Sequence, residues 1–156
     1  MTRNNTELTY LRAAVQNASA IGLVIVLYDV LIGDLRGAIA AIANHDIEQR
    51  SKEVKHAFLV LQQLEGSLDM ENGGEAATNL SRFYSTLRCN ILDAHAKVSP
   101  EILNRQIQLV FEVRAAWAQA DKQGTSEPES AISPNPESAP LGSEERTGEL
   151  AMNWSA

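Results

Sequence analysis

The stretch Ser67-Leu-Asp-Met-Glu-Asn-Gly-Gly-Glu-Ala-Ala-Thr-Asn-Leu80 decides the fold of this 156-residue chain. It closes one amphipathic segment, turns through Asn72-Gly73-Gly74 and opens another. Paired glycines tolerate the positive φ that stops a helix. Apolar residues recur at helical spacing on both sides, so the local expectation is a helical hairpin.

Working outward, four segments carry a 3.6-residue apolar period. The first is expected from Ser19, a good N-cap, to Ala43, with Ile21, Val24, Tyr28, Leu31, Leu35, Ile39 and Ile42 on one face. Asn44-His45 breaks it. Asp46 then caps a second helix, with Gln49 three residues on as in a capping box, and Ile47, Val54, Phe58, Leu61, Leu64 and Leu68 form its stripe. The third, about Glu75 to Lys97, shows Ala76, Leu80, Tyr84, Leu87, Ile91 and Ala94. Ser99-Pro100-Glu101 opens the fourth with a cap, a first-turn proline and an acid, and Ile102, Leu109, Val110, Val113 and Trp117 continue it to about Ala120. No segment alternates with the period of a strand. Long helices joined by short turns become antiparallel neighbours, so the expected fold is all-α, an antiparallel up-down four-helix bundle.

Composition bounds the function. The hydrophobic fraction of 44% is enough for a core, and the formal charge of −7 argues against nucleic acid or an anionic membrane as partner. Cys89 is the only cysteine, which leaves no disulfide framework and no thiolate metal cluster. The N-terminus shows no apolar run of the signal-peptide kind, and the longest apolar stretch, Ala18 to Tyr28, is too short to span a bilayer. A cytoplasmic protein is the expectation. Residues 121–156 carry seven acids against two bases and four of the five prolines. The chain therefore divides into a flexible N-terminal segment, 1–18, a helical domain, 19–121, and a disordered acidic tail, 122–156. Near the end of that tail, Leu150-Ala-Met152-Asn-Trp154 reads either as part of a solubilising tail or as a short docking element.

Two helices carry apolar residues that a bundle does not need. Val26, Val30, Gly33, Gly37 and Ala40 step by 4, 3, 4 and 3 along the first helix, roughly opposite its core stripe. A solvent face would carry Lys, Glu and Arg. Each glycine there costs about 0.5–1 kcal/mol of helix stability relative to alanine, and small residues let another backbone approach. On the fourth helix Ile107, Phe111 and Ala118 lie away from the Leu109–Val113 stripe. These second faces suit an amphipathic partner helix; the chain could equally cover them with residues 1–18 or by self-association.

Catalytic constellations are wanting. Glu53-Val-Lys-His56 is a Glu-x-x-His pair of the kind that di-iron bundles use, but it occurs once and flanks the apolar line instead of sitting in it. His45 reads as a loop residue, His95 as a helix-end residue, and Asp29, Asp34 and Asp93 as solvated helix surface. Cys89 falls opposite the third helix's core line with no base beside it. Gly73-Gly74 has neither the lysine nor the preceding strand of a phosphate loop. No enzymatic activity, metal or cofactor is expected.

Leu27-Tyr28-Asp29, Asp46-Ile47-Glu48, Ser67-Leu68-Asp69, Gly73-Gly74, Asn79-Leu80 and Phe83-Tyr84 occur in an order and spacing that resembles the flagellin-specific export chaperones of bacteria, the FliS family. The similarity runs from about Tyr10 to Ala120. It implies a small helical cytoplasmic bundle with a mobile N-terminal segment. It also implies binding of the C-terminal segment of newly made flagellin, which is disordered when free and forms helices on the chaperone. Such binding blocks premature polymerisation and readies the subunit for the type III export gate. By this likeness Tyr10 matches an N-terminal tyrosine implicated in groove capping and in contact with the export apparatus, while Tyr28, Asp69, Gly73, Gly74, Asn79, Leu80 and Tyr84 match motif positions of structural character. Tyr28 and Tyr84 are expected to pack with their hydroxyls at the rim, and Asp69 and Asn79 to tie the Gly-Gly turn. Two positions depart from the pattern: Ala20 stands where the family often has proline, and Val30 where it usually has glycine. The partner-binding set read from the residues and the likeness together is Tyr10, Val26, Val30, Gly33, Gly37, Ile107 and Phe111. The alternative is a structural protein that packs these stripes against copies of itself, as a homodimer or larger oligomer.

Overall fold

The computed structural model describes residues 9, 19–123 and 131–132. Tyr10, the Leu150–Trp154 segment and most of the two terminal segments lie outside the described residues. Four helices follow one another: α1, Ala20–Ala43; α2, Ile47–Gly66; α3, Gly74–Lys97; α4, Pro100–Gln123. Helix α1 packs against α2 and α4, and α3 packs against the same two, so α1 and α3 face each other across the diagonal. The antiparallel sense shows in the cross-helix contacts: Asp29 of α1 meets Arg114 of α4, while Arg36, further along α1, meets Phe111, earlier in α4.

The helix starts follow from their caps. The Ser19 hydroxyl accepts the Gly22 N–H at 3.1 Å and the Asp46 carboxylate accepts the Gln49 N–H at 2.9 Å. The reciprocal half of the expected capping box is replaced: the Gln49 amide donates to Glu53, one turn on, at 2.8 Å. Two helix ends place non-glycine residues in the left-handed region, His45 after α1 (φ 54°) and Val98 after α3 (φ 52°). For the β-branched Val98 that is strained backbone. It is held by the backbone bonds of its own N–H to Ala94 and of the Ser99 N–H to the same carbonyl.

The α2–α3 connection does not work as the paired glycines suggest. Helix α2 has already ended at Gly66, with Ser67 as its C-cap. Asp69 then builds the turn: its carboxylate accepts the N–H groups of Glu71 and Asn72 at 3.1 and 2.9 Å. Only Gly74 has positive φ, at 59°. Gly73 is needed for room: a Cβ there would overlap the Asp69 carbonyl oxygen and stand 2.7 Å from the Ala77 Cβ. Asn79, expected to share in tying this turn, is exposed on α3.

The core is built largely from the expected stripes, with shifts of phase. Ile21, Val24, Tyr28, Leu31 and Leu35 of α1, Val54, Leu61 and Leu64 of α2, and Tyr84, Leu87, Ile91 and Ala94 of α3 are buried. Three expected core residues stand outside: Ile47 is 67% exposed, Ala76 gives way to Ala77, and Leu109 is exposed while Leu103, Gln106 and Ile107 line the α4 interior. Helix α4 is rotated toward Leu103 and Ile107 relative to the expected line. Gln106 is the polar exception in its core face, bonded to Asn90 of α3 at 3.1 Å and to the Ile102 carbonyl.

The two motif tyrosines are fully inside and not at the rim. Their hydroxyls share a 2.7 Å hydrogen bond that joins α1 to α3 across the core diagonal. The Trp117 indole lies beside Tyr28 and works against the rise in its pKa. Burial pushes the Tyr28 phenol up to about 12, and burial first, with Tyr28 beside it, raises Tyr84 further. One more surface expectation is corrected: Asp34 is 8% exposed and receives His56 Nδ1 at 2.7 Å, tying α1 to α2. Beyond α4, Ala131 and Ile132 are buried against the bundle.

Two predictions follow from this packing. Tyr28→Phe strands the Tyr84 hydroxyl and should cost about 1–3 kcal/mol. Tyr84→Phe strands the Tyr28 hydroxyl in the same way, and the double variant should cost less than the two added, as read by a double-mutant cycle in urea. Asp69 is held below the ordinary carboxylate range, first by the Asn72 N–H, so its contribution is present above about pH 4 and is lost as pH falls through its depressed pKa. Exchange of the Asn72 amide should accelerate in acid beyond its intrinsic pH dependence in the native protein, and show no such step in Asp69→Ala.

Candidate functional site

At about 100° per residue, Val26, Val30, Gly33, Gly37 and Ala40 occupy the arc of α1 that looks out between α2 and α4. Its two edges are marked by side chains from the neighbouring helices. On the α2 side the Glu53 carboxylate lies over Gly37, where a Cβ would come within 2.6 Å of Oε1. On the α4 side Arg114 forks onto Asp29, with Nη2 to Oδ2 at 3.0 Å, and the Arg36 guanidinium lies 5.4 Å from the centroid of the Phe111 ring. Between these edges no atom of the described residues stands within 4 Å of where a Gly33 Cβ would be. Val26 and Val30 are half-buried, and Val30 rests on the core from outside.

Of the residues expected to meet a partner, the structure brings Val26, Val30 and Gly33 together on this shallow apolar strip. Phe111 joins them from the α4 side as a half-buried ring under Arg36. Gly37 is not open: it is the gap into which Glu53 fits. Ile107 is 4% exposed and belongs to the core, so α4 contributes no separate outer face through it. The rotation of α4 is the reason, because bringing Leu103 and Val110 inward brings Ile107 with them.

A second apolar feature lies at the end of the bundle where α3 begins and α4 finishes. Ala76, Leu80, Val113, Ala116 and Trp117 line a cleft of about 440 Å³, with Glu112 also on its lining and Ala131 as a wall. Most of these residues read as ordinary core stripe in the sequence. Two of its lining residues, Ala76 and Ala116, are small and exposed. An apolar Ala-Ile pair ahead of a proline was the signal that the tail held a contact residue, and it is weak beside the acids around it.

No three His, Cys, Asp or Glu side chains converge among the described residues. Glu53 and His56 part company: Glu53 turns to Gly37 and Gln49, and His56 to Asp34. Cys89 is exposed on α3. No described helix is long and apolar enough to cross a membrane. Among the described residues the geometry offers a shallow apolar strip and an apolar cleft, not a cluster of reactive groups.

Comparison with known proteins bears on the family to which this fold and surface belong. A family model described as flagellar protein FliS matches residues 2–124. The flagellar secretion chaperone FliS of Campylobacter jejuni is 32% identical over 104 residues, 66% of this chain and 80% of that protein. The chaperone of the same name from Salmonella typhimurium is 28% identical over 108 residues, 69% of this chain and 80% of that protein. That of Vibrio cholerae is 30% identical over 80 residues, which span 51% of this chain and 59% of its own length, under two thirds. These relatives are chaperones and not enzymes. With the family's match running through all four helices, the chain belongs to the FliS family.

Proposed function

We propose that this protein is a cytoplasmic flagellar export chaperone that holds the C-terminal segment of flagellin as helix on its apolar surface, prevents premature polymerisation and presents the subunit to the type III export gate. The observation that carries this reading is the open strip over Gly33. Four helices have closed a complete core, yet Val26, Val30 and Gly33 keep a shallow outward face without a single Lys, Glu or Arg in its line. An isolated apolar strip of this kind fits the apolar stripe of an amphipathic helix. Glycine at position 33 is costly to α1 and contributes nothing to the core; a second backbone approaching α1 gives it a use. The names of the relatives supply the class of partner.

Arg36 and Arg114, at the strip's edge, supply fixed positive charge to a surface whose chain is acidic overall. Both are partly engaged, Arg36 with Phe111 and Arg114 with Asp29, so acidic positions on an incoming helix would find donors already oriented. Residues 1–18 and the tyrosine at position 10 belong to the same reading, as a segment that covers the strip until the partner arrives.

Titration calorimetry with the C-terminal peptide of a flagellin from the same organism tests this directly. A one-to-one complex with a negative heat-capacity change is expected, because apolar surface is buried as the peptide folds. Gly33→Lys places a charge on the strip without crowding any atom of the described residues. It should weaken the complex at least tenfold, about 1.4 kcal/mol, with no fall in melting temperature. Undiminished affinity would remove the strip from the site. Self-association without peptide, and no heat with it, would favour the structural homo-oligomer instead.

A further inference from the structure

Ala131 and Ile132 sit on the bundle with more structure than a tail requires. Ala131 is fully buried and Ile132 is 6% exposed and part of the hydrophobic core. The Ala131 carbonyl accepts the Asp69 N–H at 2.8 Å, and Leu68 and Ile132 form an antiparallel bridge. Gly73 makes room for them: a Cβ there would stand 3.0 Å from the Ala131 Cα, so any side chain at position 73 would press on this contact as well as on the turn. The α2–α3 connection thus offers an extended chain a backbone donor, a slot for a small residue and a buried seat for an aliphatic one.

The contact is short, and the described residues leave the space beside it unfilled. Ala131 forms one wall of the 440 Å³ cleft, whose apolar lining continues past it over Leu80, Val113 and Trp117. A segment that paired with Leu68–Asp69 and ran on into the cleft would satisfy the same backbone donor and cover the exposed apolar wall as well. The resident pair does the first and leaves the second undone. Recognition through a main-chain bridge tolerates many sequences, which suits a site meant to exchange occupants.

We propose that Ala131–Ile132 are a tethered plug, and that an extended apolar segment of the chaperone's client, a small residue followed by an aliphatic one, displaces them from Leu68–Asp69 and fills the α3–α4 cleft. This rests on the flagellin reading above and adds a second, non-helical docking point to it. The tether is short, seven residues between Gln123 and Ala131, so the plug is always at high local concentration and sets a threshold that weak ligands do not cross.

The test uses the full chain. Carbon-13 methyl spectra of Ile132 are recorded as the flagellin C-terminal peptide is added, together with exchange of the Asp69 amide. Displacement predicts that the Ile132 methyls move to solvent-exposed positions on saturation while the Asp69 amide stays protected by its new acceptor. It also predicts that Ile132→Asp binds the peptide at least threefold more tightly, since nothing competes. Should the peptide bind with the Ile132 methyls unmoved, the displacement is wrong and the flagellin reading stands. An Asp69 amide unprotected in the free chain overturns the plug without reference to any ligand. If neither form binds the peptide, the flagellin reading falls and takes the displacement with it.

Discussion

One buried hydrogen bond, between the hydroxyls of Tyr28 and Tyr84, sets the terms for the rest of the bundle. Helices α1 and α3 face each other across the diagonal, and a long side chain from each reaches across to meet in the core. Two tyrosines meet there with their oxygens paired, which avoids the roughly 1–3 kcal/mol that an unpaired buried hydroxyl would cost. That requirement fixes the rotation of both helices. With Tyr28 turned inward, the Val26–Val30–Gly33 arc of α1 has to turn outward, and the surface strip is the geometric complement of the core tyrosine.

Polar ties then distribute themselves by seam. Asp34 with His56 and Glu53 over Gly37 close α1 on α2, Asp29 with Arg114 and Arg36 over Phe111 close α1 on α4, Glu65 with Arg88 closes α2 on α3, and Asn90 with Gln106 closes α3 on α4. Most of these pairs are partly wet and individually weak. Their value is in register: each links positions on different helices that apolar packing alone would let slide. Two of the pairs hold a polar group largely away from water, Asp34 with His56 and Gln106 with Asn90.

Much of this was legible in the chain. Helix limits came from caps and breakers that act locally, Ser19, Asp46, Asn44-His45 and Ser99-Pro100, and local signals transfer well from sequence to structure. The misreadings share another cause. Leu109 and Ile107 both fit an apolar line on α4, and only the position of α1 and α3 decides which one is inside. Asp34 looked solvated because its partner is 22 positions away on another helix. The glycines at 73 and 74 were read as one turn signal, whereas one bends the chain and the other yields space to Ala131. The plug itself was hidden because a two-residue contact leaves no period to detect.

The antiparallel order carries a mechanical consequence. The described helices begin at Ser19 and finish at Gln123 at one pole of the bundle, since Asp29 lies opposite Arg114. Tension applied across those two points would load the α1–α4 seam one turn at a time, as a zipper is drawn, and never the whole seam in parallel. A fold held together by many weak lateral ties resists shear well and peeling poorly. A machine that grips either end of this chain would therefore meet little resistance, whereas a partner laid along α1 and α4 would brace the very seam that gives way first.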